Sequence, residues 1–140
     1  MTLGGGCEYC LHSDAICAHI ETYMGLVEVG VGLLPAGGGT KELCVRAVEE
    51  AEKLGVNVQN IIVKYFQNIA MAKVSMGAAE AFKLGYMRQG DQITMDIDSL
   101  IGNAKQMVLT LAKTYRPRPL CHLRPLVGIL QQQLRANCGI

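Results

Sequence analysis

Two glutamates stand beside glycine-rich turns in this chain. Glu8 closes the run Gly4-Gly5-Gly6-Cys7-Glu8. Twenty positions later Glu28 opens a second phrase, Val27-Glu28-Val29-Gly30-Val31-Gly32-Leu33-Leu34-Pro35-Ala36-Gly37-Gly38-Gly39-Thr40. A glycine run lets backbone N–H groups come close to a ligand. Where such a run opens a helix, the first N–H groups have no intrahelical acceptor and lie at the positive end of the helix dipole. That arrangement can hold an oxyanion, and a carboxylate one turn further on can exchange protons with the group held there. An isolated glutamate is by default a solvated surface group. Two turns with one glutamate each point instead to acid–base chemistry on a polarised carbonyl.

Other groupings compete for attention. Cys7-Glu8-Tyr9-Cys10, with His12, Cys17 and His19 nearby, has the residue types of a zinc site or a redox pair. The spacing fits no usual zinc pattern, so reduced, metal-free, buried thiols are expected. Gly37-Gly38-Gly39-Thr40-Lys41 has the look of a phosphate loop. It lacks the leading glycine at the right offset, and no Ser or Thr follows Lys41, so nucleotide hydrolysis is excluded.

The elements that must carry these residues are readable in outline. Residues 4–12 read as a short helix behind the glycines. Asp14 to Ile20 fits a strand, and residues 22–34 suit a buried strand and loop that Pro35 to Gly39 breaks. Thr40 to Lys53 reads as a helix with Leu43, Ala47 and Ala51 on one face and Glu49, Glu50 and Glu52 largely outside it. Leu54-Gly55 is a stop signal. Residues 57–72 form a second helix, with Ile61, Ile62, Tyr65, Ile69 and Ala72 near helical spacing. Ser75 is the expected N-cap of a helix over Gly77–Leu84 that Gly85 ends. Residues 86–95 read as a loop with a short strand. Asp98 is the expected cap of a helix from Ser99 to Tyr115, with Leu100, Ala104, Met107, Leu111 and Ala112 inward.

At Gly-Gly-Gly-Cys-Glu and at the phrase from Glu28 through Thr40, the chain resembles the crotonase superfamily of enoyl-CoA hydratases and isomerases. Glu21-Thr22-Tyr23-Met24-Gly25-Leu26-Val27-Glu28 is most similar to one branch, the crotonase-like domain fused to bacterial 3-hydroxyacyl-CoA dehydrogenases of fatty-acid β-oxidation. Ala72-Lys73-Val74-Ser75, Ala78-Ala79-Glu80-Ala81 and Leu84-Gly85 fit it too. The resemblance covers about residues 1–115. It implies an α/β fold: the C-terminal part of a crotonase-type ββα spiral, helix-rich after residue 37. It also implies that Glu8 and Glu28 flank a water and hydrate a trans-2-enoyl-CoA, with Gly5 as oxyanion N–H donor. The N–H after Pro35 lies near that water in hydratases. The family usually has Gly there, whereas this chain has Ala36, whose methyl group intrudes. Having both glutamates favours hydration over isomerisation.

The resemblance further implies an acyl-CoA thioester as substrate and no cofactor or metal in this chain. NAD would serve only the fused dehydrogenase domain. A homo-oligomer or the fused domain is the expected partner. In the family the glycine turn lies well inside the domain, yet here it follows only Met1-Thr2-Leu3. The expectation is an N-terminally truncated chain without the other oxyanion donor or most coenzyme A contacts, and with little activity alone. The alternative is a catalytically silent fragment, or a subunit that works only beside a partner carrying the front half.

Composition agrees with one folded domain. The chain has 140 residues, 50% hydrophobic and 18% charged, which argues against disorder. A net charge of +1 gives no bias toward nucleic acid. No signal peptide or apolar run long enough for a membrane span is evident, so the six cysteines are expected as free thiols in a cytoplasmic protein. All 12 acidic residues fall between Glu8 and Asp98, while four arginines lie from Arg116 onward. Arg116-Pro117-Arg118-Pro119 reads as a linker that separates residues 1–115 from a tail, 116–140, in which Leu126, Ile129, Leu130 and Leu134 would share a helix face. This tail either replaces the helices with which crotonases close their site or is frameshifted sequence with no selected fold.

Overall fold

The computed structural model describes residues 1–117. The expected tail helix, Arg118, Cys121 and Cys138 lie outside them. Strand β1 (Thr2–Leu3) leads through Gly4, at φ 55, into helix α1 (Gly5–Leu11). Strands β2 (Cys17–His19) and β3 (Met24–Gly25) follow, then a single 3-10 turn, Glu28–Val31. Helices α2 (Gly39–Leu54), α3 (Val58–Ala70) and α4 (Ala78–Leu84) precede strand β4 (Gln92–Thr94) and helix α5 (Leu100–Ala112). The α/β class and its helix-rich second part are therefore as expected.

Two parallel pairs organise the strands. β1 pairs with β3, Thr2 opposite Met24, and β2 pairs with β4, Ala18 opposite Ile93. Parallel neighbours require a crossover, and the segment from α1 through β2 supplies it for the first pair. That crossover brings Gly4 beside the segment that leads to Glu28. At the β1–β3 pair the backbone comes very close to a neighbour: a Cβ at Gly25 would lie 2.6 Å from the Lys73 carbonyl oxygen.

The core collects Leu11, Met24, Leu26, Leu43, Ala47 and Tyr86 between α1, the strands and α2. α2 packs along α3. Leu43, Ala47 and Ala51 are buried, whereas Glu49 and Glu52 are exposed, as the helical spacing requires. Asn57 caps α3, its side chain accepting from the Gln59 N–H at 2.8 Å.

Several expectations are corrected. The strand over Asp14 to Ile20 shrinks to Cys17–His19, because β4 offers only three partners and a turn closes at Thr22 N–H to His19 O, 3.0 Å. Within the strand and loop expected over 22–34, the strand is only Met24–Gly25; local bonds then curl the chain into the 3-10 turn, and residues 30–34 are exposed rather than buried. Ala72 has left α3, at φ 47. Ser75 does not cap α4. It is fully buried, accepting from the Met24 N–H at 3.0 Å and donating to Thr22 O at 3.3 Å, and so pins the α3–α4 connection to β3. Asp98 does not cap α5. Asp96 organises that start instead, accepting from Ser99 Oγ at 2.6 Å and from the Asp98 N–H at 3.1 Å. These bonds hold the Asp96 carboxyl below its ordinary value. α5 stops at Ala112, and of its expected inward residues only Met107 is buried; Leu111 is 40% exposed.

Candidate functional site

Glu8 lies on the first turn of α1 and is 7% exposed. Its carboxylate faces the loop that begins α2: Oε2 accepts from the Gly37 N–H at 3.1 Å and Oε1 from the Gly39 N–H at 2.9 Å. Glycine is demanded there by space. A Cβ at Gly37 would lie 2.2 Å from Glu8 Oε2, and one at Gly39 would lie 2.8 Å from Leu26 Cδ2. The carboxylate is thus oriented by the α2 N-terminus, where a negative group is favourable.

Glu28 sits at the start of the 3-10 turn. Its carboxylate lies beside the first glycine turn, Oε1 being 3.4 Å from where a Gly4 Cβ would stand. Oε2 is buried and has no hydrogen-bond partner. Gly5, adjacent to Gly4, lines a cavity of about 330 Å³ with Glu8, Tyr9, His12 and Gly37. One glycine turn therefore touches Glu28 through Gly4 and borders the Glu8 cavity through Gly5. Ala36 and Gly37 are exposed in the loop that follows buried Pro35.

Two residues near the site carry more than their spacing suggests. His12 Nδ1 bonds the Glu8 carbonyl at 2.7 Å. Arg46, 5% exposed on α2, donates to Leu11 O at 2.8 Å and to Gly85 O and Tyr86 O at 3.1 Å each. It fastens the end of α1 to the turn after α4. Burial, then the Arg88 charge, pull its guanidinium below the ordinary value. The readable signal for Arg46 was its place three residues after Leu43 on the buried face. The residue types around His12 point only to a zinc site or a redox pair, and no sequence motif encodes its bond to the main chain.

The thiols of Cys7, Cys10, Cys17 and Cys44 are free. Burial, with Cys10 adding to it, pushes Cys7 up to about 12, and burial also raises Cys10 and Cys44. These values do not suit a reactive thiolate. Among the described residues no cluster of three or more His, Cys, Asp or Glu could hold a metal, and no helix is long and apolar enough to cross a membrane.

No family model matches the chain. A protein of Bacillus subtilis named as a probable 3-hydroxyacyl-CoA dehydrogenase is 47% identical over 118 residues, covering 84% of this chain and 14% of its own length. An enoyl-CoA hydratase subunit I from Geobacillus kaustophilus superposes with a TM-score of 0.57 at 25% identity, over 81% of this chain and 37% of that one. The chain has the crotonase-type fold and is similar in sequence to one stretch of such a dehydrogenase. A carnitinyl-CoA hydratase from Mycobacterium avium shares the crotonase fold at a TM-score of 0.58 and 19% identity, over 99% of this chain and 42% of its own. The chain thus spans under half of each solved crotonase and about a seventh of the Bacillus relative.

Proposed function

We propose that this chain carries the acid–base segment of an enoyl-CoA hydratase site, within a crotonase-type domain of a fatty-acid β-oxidation protein. A water lies between Glu8 and Glu28. Its oxygen bonds the β-carbon of a trans-2-enoyl thioester as the double bond opens. One glutamate takes the water proton and the other gives a proton to the α-carbon, so charge and atoms balance in a 3-hydroxyacyl-CoA. The Gly5 N–H stabilises the enolate oxygen, and the Ala36 N–H lies by the water. NAD acts in a separate dehydrogenase domain, and the assembly works in the cytoplasm as an oligomer or fusion.

The observation that supports this most is the buried, unpartnered Glu28 Oε2. A buried acceptor left empty costs about 1–3 kcal/mol, and a bound water or substrate would satisfy it. Partner dependence also has support. The described strand pairs hold two strands each, and α5 leaves Ile101 81% exposed. Such edges and faces invite completion by further chain.

The test is hydration of crotonyl-CoA by this chain co-expressed with the front half of a related crotonase domain. Glu8→Gln and Glu28→Gln are each expected to lower kcat by roughly 10²–10⁴. The chain alone is expected to run roughly 10²–10³ below the complemented form, for want of one oxyanion donor. A double variant that keeps the wild-type rate would overturn the assignment of both glutamates.

A further inference from the structure

The geometry points to His12 as the positioning residue that braces the Glu8 clamp, by joining the main chain of Glu8 to the loop that holds its carboxylate. This deepens the hydratase reading, because an oriented Glu8 is what that reaction requires. His12 follows directly on α1, and its Nδ1 lies 2.7 Å from the Glu8 carbonyl oxygen. A carbonyl only accepts, so Nδ1 carries the proton and a neutral ring leaves Nε2 as an acceptor. The far edge of the ring rests on Gly38. A Cβ there would lie 2.8 Å from both Cε1 and Nε2, and Gly38 itself holds φ 106.

Gly38 stands between Gly37 and Gly39, the two N–H donors to the Glu8 carboxylate. The imidazole therefore touches both ends of one arrangement: the backbone of Glu8 on one side, and the peptide run that grips its side chain on the other. Only a glycine at 38 permits that approach. The same ring lines the cavity with Gly5, Glu8, Tyr9 and Gly37. A plain C-terminal helix cap would need the Nδ1 bond but not the contact with Gly38. The brace needs both.

That difference sets the test, made on the full 140-residue chain by amide hydrogen exchange. His12→Ala removes bond and ring. His12→Asn keeps a donor at the place of Nδ1 but no ring over Gly38, and it serves if the alanine variant folds poorly. In both variants the Gly39 amide is expected to exchange about five- to tenfold faster than in the wild type, relative to the core amides of α2. The nitrogen-15 spectrum of the wild-type ring should place the proton on Nδ1. A Gly39 amide that merely follows the α2 core, full recovery in His12→Asn, or a proton on Nε2 instead would each overturn the brace. The readout involves no substrate. Failure of the hydratase reading therefore leaves a positive result intact, and failure of the brace leaves the crotonyl-CoA assay to judge Glu8 by itself.

Discussion

Replacing the two glutamate side chains should affect stability very differently, although both belong to one proposed site. Glu8 accepts from Gly37 and Gly39 at 3.1 and 2.9 Å. In Glu8→Ala the Gly39 N–H, buried at the first position of α2, loses its acceptor, whereas exposed Gly37 can turn to water. A bond to a charged group is worth about 1.5–3 kcal/mol, and an orphaned buried donor costs about 1–3. With Gly39 dominating, Glu8→Ala should cost about 2–4 kcal/mol. Glu28 differs, because its Oε2 is already unpartnered. Exchange for an apolar side chain of similar size, Glu28→Met, removes a buried unsatisfied acceptor and should be neutral or stabilising by about 1 kcal/mol. Urea unfolding measures both. At a slope of about 2 kcal/mol/M the alanine variant loses about 1–2 M in midpoint while the methionine variant holds or gains. An unchanged midpoint for Glu8→Ala, or an equal loss for Glu28→Met, would refute the reasoning that Glu8 is structurally satisfied and Glu28 is held in reserve for a ligand.

Two further outcomes are expected. Cys7 is raised from 9.0 to about 12 and Tyr86 from 10.0 to about 12, each first by burial; folded-state values above the unfolded ones mean stability complete below pH 9 and lost as pH climbs toward 12. Urea midpoints at pH 8 and pH 10.5 should fall for the wild type and fall less for Cys7→Ala. Gly85 ends α4 at φ 84, and a Cβ there would lie 2.5 Å from the Tyr65 ring, so Gly85→Ala should cost about 1–3 kcal/mol in the same assay.

What the residues revealed in advance depended on how local the cause was. α2 was legible because Leu43, Ala47 and Ala51 recur at helical spacing and all three are buried. The end of α4 was legible because Gly85 supplies the left-handed C-cap. α5 was less legible: its spacing puts Leu100, Ala104, Met107, Leu111 and Ala112 inward, yet only Met107 is buried, and Leu111 and Ala112 stand exposed. Ser75 and Asp98 were misread for a related reason. Both types often cap helices locally, but Ser75 serves β3, 51 positions away, and at α5 the N-cap is Ser99, held by Asp96, with no side-chain cap bond. The glutamate phrases mark the candidate site, while the clamp on Glu8 could not be read from them. That Glu8 would accept from Gly37 and Gly39 depends on how α1 lies against α2, and no motif states it.

Arg46 gives this small structure a long reach. A planar guanidinium can serve three carbonyls at once, from Leu11, Gly85 and Tyr86, where a lysine would offer a point charge without the fork. The stretch ending α1 and the stretch ending α4 are far apart in the chain yet answer to one side chain. Variation around residues 84–87 is therefore not independent of the glutamate at position 8. Evolution, or an engineer, can alter the surface of either stretch freely, but a backbone change in one must be matched in the other through Arg46.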